Sequence, residues 1–514
     1  MELLRSLKGY KSKYLINDLL SGLLVAIIAM PLSIALGMQS VPDGVGSGIQ
    51  MGIITAIVAG FFVSFFGGSR FQIGGPTAAF VVIIFGYLND PSIGLIGLQI
   101  ATIIAGVLLL VLGFLKCGSL VKFIPYPIVV GFTTGIGITL LVSQFKDFFG
   151  FSSTGVDFIE KIIAYVGAIS SFNLATFLIG LGTLVAIYLI PLISKKLPSQ
   201  FLAIVLFTFV NILVGGQNFG VKTIGDISGN ITATFNLINF SNVKNVKVLS
   251  LIVPSIVIAF LGALESLLSA TVADGMSKQK SNFNQELLGQ GVANVASSLL
   301  GGLPATGAIA RTSANIKSGA KSSLAGIFHA LFMLIMYFVI MDVIKFIPLC
   351  ALAAVLINVS INICNPKLFI KMSKFGVRDV LILYVTMLLT VFFDLTYGVI
   401  GGFILTLIIN ALNIKIGLKI NKVQDNESIK YELDGSLYFI TVNKLVSKIT
   451  SDLNNITTAV IDFTNVDRVD SSTIEKLSLL NKEMTTINKT LVLENYNDKI
   501  KRRIDLYYYS NLSH

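Results

Sequence analysis

Charge is scarce in this chain: 13% of its residues are Asp, Glu, Lys or Arg, against 54% hydrophobic, and mean hydropathy is +0.83. That balance excludes a soluble globular fold. Cysteine is scarce too. Cys117, Cys350 and Cys364 stand apart in apolar surroundings with neither CxxC nor metal-ligand spacing, which excludes a redox motif and leaves them as small hydrophobes. A true phosphate loop is also missing, because Gly319-Ala320-Lys321-Ser322 lacks both the spacing and the preceding strand. No ATP chemistry, metal or cofactor is expected, and the chain reads as a non-enzyme. The basic stretch from Met1 to Asn17 lacks a small-residue cleavage site, so the first hydrophobic segment is expected to be retained.

What is present is a series of hydrophobic runs of about 17 to 25 residues, the length that crosses a bilayer. They fall at 19–37, 48–67, 93–115, 121–143, 172–193, 199–215, 249–272, 322–341, 344–364, 378–394 and 396–413. Weaker segments at 72–88, 286–301 and 303–317 bring the total to about fourteen, which suits two inverted halves of about seven. The fold class expected is an α-helical polytopic membrane protein. Formal charge is +11, and its position matters more than its size. Lys116, Lys122, Lys195, Lys196, Lys278, Lys280, Lys317, Lys321, Lys367, Lys371, Lys374, Arg378, Lys415, Lys419 and Lys422 all lie in loops on the side of the N-terminus. The loops on the other side are mixed or weakly charged. This asymmetry places the N-terminus in the cytoplasm and argues against nucleic-acid binding.

After Lys422 the long apolar runs stop and Asp, Glu, Asn and Ser become frequent, so 1–422 is expected to form the transmembrane domain and 423–514 a cytoplasmic one. Tyr438–Val442, Ala459–Phe463 and Thr490–Leu493 read as strands, and 443–454 and 472–486 as amphipathic helices. Their alternation implies a small α/β unit.

Two clusters break the apolar sequence: Gly74-Gly75-Pro76-Thr77-Ala78-Ala79-Phe80 and Pro304-Ala305-Thr306-Gly307-Ala308-Ile309-Ala310-Arg311-Thr312. A break strands backbone groups that lipid cannot satisfy, so it is expected to line a cavity. The two lie about 230 residues apart in the two halves, the arrangement that marks a secondary transporter's binding site. Each permits a half-helix to start in mid-membrane with free N–H groups and a positive dipole end facing an anion. Pro76 suits the first turn of one half-helix, and Thr77 offers a hydroxyl. Arg311, one turn into the other, adds a full charge, or else snorkels toward the cytoplasm or pairs with Glu265. Glu265 is costly inside a span unless it is neutral, paired or facing water, and Ser269 follows one turn later on the same face. Protonation of Glu265 would admit an anion that its charge repels, which points to proton-coupled symport. Nucleobase-proton symport would fit Glu265 but not Arg311. His329 reads as a packed helix residue.

Taken together, Asp18–Leu23 ahead of Pro31, the Ile73–Ala79 break, Glu265 with Asp274-Gly275, and Gly307–Thr312 followed by Asn315-Ile316 resemble the SulP family of anion transporters, the sulfate permeases and bicarbonate transporters related to prestin. The tail resembles a STAS domain through Asp462–Val466 and Asp470-Ser471-Ser472, with Thr473 in place of that domain's Gly. The resemblance implies a core of spans 1–4 and 8–11, a gate of spans 5–7 and 12–14, elevator-type movement, a homodimer and a bacterial inner-membrane location. It implies a substrate pocket of Leu32, Leu36, Thr77, Ala78, Ala308, Ile309, Ala310 and Arg311, with Glu265 and Ser269 in coupling. Sodium-coupled members carry Asp where this chain has Glu265, so sodium is less favoured than the proton. Sulfate, bicarbonate and dicarboxylates stay open as substrates. A non-transporting anion receptor that signals through the STAS-like domain is the alternative.

Overall fold

The computed structural model describes all residues except 9, 43, 119–124, 153–154, 156, 195–196, 229–232, 239–247, 278, 394, 412–417, 426–427, 454–455 and 509–514. Lys122, Lys195, Lys196, Lys278, Lys415 and Asn454, which entered the sequence reading, lie outside the described residues.

In chain order the helices are α1 (Glu2–Leu7), α2 (Ser12–Ser40), α3 (Gly48–Phe66), α4 (Ala78–Asn89), α5 (Gly94–Phe114), α6 (Tyr126–Ser143), α7 (Phe145–Phe149), α8 (Phe158–Gly167), α9 (Leu174–Ile193), α10 (Ser199–Val214), α11 (Ile224–Ser228), α12 (Ile252–Ser277), α13 (Phe283–Leu299), α14 (Ile309–Lys317), α15 (Leu324–Ile344), α16 (Leu349–Cys364), α17 (Pro366–Met372), α18 (Val377–Phe392), α19 (Leu395–Ala411), α20 (Val442–Asp452), α21 (Ser471–Thr486) and α22 (Asp498–Tyr508). The strands are β1 (Gly74–Gly75), β2 (Thr306–Gly307), β3 (Lys419–Asp425), β4 (Ser428–Leu437), β5 (Thr458–Val469) and β6 (Thr490–Glu494). Among the described residues, eight helices are long and apolar enough to cross a membrane, and three shorter apolar helices accompany them. This is a mostly helical membrane protein with a small C-terminal α/β fold.

The chain forms two compact units, Met1–Ser119 with Ile136–Ile363, and Leu120–Gly135 with Cys364–His514. In the first, α2 runs unbroken through Pro31, and the hydroxyls of Ser33 and Ser40 bond back to the carbonyls of Ala29 and Leu36, so these polar groups cost little in an apolar core. That core gathers Leu32 and Leu36 of α2, Ile53 and Ile57 of α3, Ala78 and Tyr337. The Gly319–Ser322 turn binds a carboxylate from its own chain: Lys321 N and Ser322 N donate to Asp18 Oδ1, and Ser322 Oγ and Tyr10 Oη to Oδ2.

In the second unit, the four-stranded sheet has the order β3-β4-β5-β6, with β3–β4 antiparallel and the other pairs parallel. Its core packs Tyr431, Ile461 and Phe463 of the strands against Leu445, Ile449, Ile474 and Leu477 of the helices. One expectation is corrected. Tyr438–Val442 is not a strand but the turn into α20, because Thr441 Oγ1 accepts from Tyr438 N and donates to Ser436 O, closing the chain locally. The strand lies earlier, at Ser428–Leu437, in a hairpin whose many charged residues hid it. Thr473, standing where a Gly was expected, donates both its N–H and its hydroxyl to Oδ1 of Asp470, the residue that caps α21.

Candidate functional site

The two breaks meet. Gly74 pairs with Gly307 and Gly75 with Thr306 in an antiparallel ladder, and Ala308 N donates to Ile73 O at 2.9 Å. Each break therefore satisfies part of the other's backbone in a region where lipid would supply nothing. From this crossing α4 leaves at Ala78 and α14 at Ile309, each preceded by an extended residue, Thr77 or Ala308, whose side chain does not cap it. Both helix N-termini are thus left without side-chain acceptors, the condition that suits an anion. Pro76 does not enter the first turn of α4. Its segment stays extended, and its carbonyl accepts from Arg311 Nη2 at 3.3 Å.

Glu265 of α12 sits where the breaks converge. Its Oε2 accepts from Thr77 Oγ1 at 2.7 Å and from Thr306 Oγ1 at 2.8 Å, one threonine from each break. Glu265 as a residue is half-buried, and the neighbouring Ser266 Oγ accepts from Gly307 N at 3.0 Å. Ser269, one turn on, is fully buried and bonds Thr312 Oγ1 at 3.3 Å, and that same oxygen accepts from Ile73 N at 3.1 Å. Ser269 thus reaches α14 through Thr312.

Arg311 is buried beneath the ladder and bonds Ser33 Oγ at 3.2 Å as well as Pro76 O. Its Nε and Nη1 have no partner among the described residues, and no ion pair joins it to Glu265. Around the crossing, Leu32, Leu36 and Ala78 are buried in one apolar cluster and Ala308 is buried too, whereas Ile309 (42%) and Ala310 are exposed at the tip of α14. Thr77 is half-buried.

Sequence reasoning missed the residues that make the breaks affordable. From α13, Gln290 Nε2 and Asn294 Nδ2 both donate to Ala305 O, and Asn294 Oδ1 accepts from Ala305 N. From α3, Thr55 Oγ1 accepts from Leu303 N. Glu286 accepts from Gly68 N, Ser69 N and Gln72 Nε2, and that Gln72 amide also donates to Ser266 O. Glu286, Gln290 and Asn294 recur every fourth residue, one polar stripe on a helix, and that spacing was the available signal.

The Sulfate permease family matches residues 15–386. The chain belongs to that family. A STAS domain matches residues 419–513. Among sulfate permease relatives, the chain is 34% identical over 86% of its length to the "Putative sulfate transporter YvdB" of Bacillus subtilis (strain 168), covering 84% of that protein. It is 30% identical over 76% of its length to the bicarbonate transporter BicA of Picosynechococcus, covering 69% of it. The solved transmembrane domain of a cyanobacterial BicA is similar at 30% identity with a TM-score of 0.67, over 76% of this chain and 98% of that one. As a member of that family, the protein is a multi-pass membrane protein, and the family transports anions.

Proposed function

We propose that this protein is a proton-coupled symporter of a small inorganic or carboxylate anion, working by elevator-type alternating access. The observation that carries the reading is the Glu265 carboxyl, which holds Thr77 and Thr306 at the point from which both uncapped half-helices start. The two N-termini supply partial positive charge and Arg311 a full one, while Thr77, Ala78, Ala308, Ile309 and Ala310 would form the wall nearest the helix ends, with Leu36 in the same apolar cluster as Ala78. An ionised Glu265 about 6 Å from a bound anion would oppose it by about 3 kcal/mol at an effective dielectric of 20, about a hundredfold in affinity. Protonation removes that opposition, so proton and anion bind together. Ser269 adjoins this step through Thr312.

The fourteen-span inverted repeat, the core of spans 1–4 and 8–11 moving against a gate of spans 5–7 and 12–14, and a homodimer belong to the same proposal. So does an inner-membrane orientation with the N-terminus and the STAS domain in the cytoplasm. The named relatives leave sulfate and bicarbonate as the first substrates to try, with dicarboxylates next. The test is radiolabelled uptake of each anion into proteoliposomes under an inward proton gradient. Accumulation that tracks the gradient supports symport. Accumulation that follows sodium and ignores pH would replace the proton with sodium, and binding without flux would favour an anion receptor signalling through the STAS domain.

A further inference from the structure

Beside the first turn of α18, at the end of β5, lies a cavity of about 330 Å³, within the roughly 300–1,000 Å³ range of small-ligand pockets. Three guanidinium groups line it: Arg378 in α18, Arg468 in β5 and Arg503 in α22. Asp379 and Asp470 share the wall, but both carboxylates are turned onto hydrogen-bond donors of the STAS domain. Asp379 Oδ2 accepts from Ser471 N at 3.1 Å. Asp470 Oδ1 accepts from Thr473 N and Oγ1, and its Oδ2 accepts from Phe439 N at 2.9 Å. Neither Arg468 nor Arg503 forms an ion pair among the described residues. Arg503 donates to Val469 O and lies over the Phe375 ring at 5.7 Å.

Confining three like charges in this way has a cost that the two neighbouring carboxylates, Asp379 and Asp470, offset only in part. Burial and the neighbouring Arg378 guanidinium pull Arg468 below the usual arginine range, while burial pushes the Asp470 carboxyl above the usual carboxylate range. Three guanidinium groups thus share the cavity wall with two carboxylates, and both carboxylates already accept hydrogen bonds from the STAS domain. A planar guanidinium fork matches the oxygens of a phosphate, and more than one fork converging on a cavity of this size specifies an oxyanion more strongly than a point charge does.

We propose that this cavity binds a phosphate group, presented by a soluble phosphorylated metabolite or by an anionic lipid headgroup, and that the ligand bridges α18 to the STAS domain through Arg378, Arg468 and Arg503. Occupancy would give the STAS domain a chemical input that does not pass through the transport site. The proposal is independent of the transport reading, since the residues that line this cavity and those of the breaks are separate sets.

The test uses the full-length protein in phosphatidylcholine nanodiscs. One arm titrates inorganic pyrophosphate by calorimetry. The other compares thermal unfolding in discs with and without phosphatidylglycerol. At least one arm should show binding in the wild type that Arg468→Gln weakens by about tenfold or more, with Arg468→Lys intermediate because it keeps the charge and loses the fork. Loss in the pyrophosphate arm identifies a soluble ligand, and loss in the lipid arm identifies a headgroup. Arg503→Gln serves if Arg468→Gln does not elute as a folded protein. Wild-type binding that persists in these variants, or the absence of any response in both arms, would overturn the proposal.

Discussion

Arg311 fills the space that a side chain on Gly75 would need: a Cβ built on Gly75 would lie 2.0 Å from Arg311 Nη1. The glycine of one break is thus the socket for the arginine of the other, and the buried charge is held by the pairing itself. Gly307 does the same for Gln72, whose Nε2 would lie 2.0 Å from a Cβ there.

Gly75→Ala is therefore expected to destabilise the protein by about 1–3 kcal/mol, the usual cost of overpacking, and to abolish transport. The double variant Gly75→Ala/Arg311→Ala should regain most of the lost thermal stability but not transport. Thermal unfolding of the purified variants, read beside uptake, checks both statements. A double variant as unstable as Gly75→Ala alone would show that the clash lies elsewhere.

Glu265→Gln keeps an oxygen that can accept from Thr77 and Thr306 but cannot change charge. Gradient-driven accumulation should fall to background while anion exchange persists. Counterflow and pH-jump uptake in the same proteoliposomes separate the two. A variant that still accumulates against a gradient would remove Glu265 from the coupling step.

Asn294→Leu leaves Ala305 N without its acceptor and strips one donor from Ala305 O. A buried donor without a partner costs about 1–3 kcal/mol, so unfolding should occur at a lower temperature without any change in surface charge. An unchanged midpoint would mean that the break recruits another partner.

Glu475 of α21 is partly buried, and burial raises its carboxyl to about 7, with Lys482 and Lys371 pulling the other way. Because the folded value lies above the unfolded one, its stabilising contribution is complete below about 4.5 and is lost as pH rises through about 7. Between those limits folding takes up a proton, and stability should fall with rising pH by at most about 1.4 kcal/mol per unit. Glu475→Gln should flatten that part of the profile, as followed by unfolding from pH 5 to pH 8.

Much of the fold was legible because the bilayer imposes simple rules. Long apolar runs became helices, and both breaks were marked by Gly and Pro lodged where lipid tolerates neither without compensation. Glu265 stood out because a carboxyl in a span needs a reason. The hairpin β3–β4 was not legible, since a charged strand exposed on one face resembles a linker. Thr306 and the supporting residues of α13 were missed for another reason: their role exists only after residues far apart in sequence have been brought together. Pro76 was misplaced because pairing with a distant strand overrode its local preference for a helix start.

The polar stripe on α13 also bears on how the protein is made. A helix carrying Glu286, Gln290, Asn294, Ser297 and Ser298 enters hydrocarbon poorly by itself, yet all five side chains are buried in the finished structure. It packs against α5 and α3, both strongly apolar. The expected consequence for biogenesis is that α13 enters a groove offered by α5 and α3, so that its insertion depends on those helices already being in the membrane.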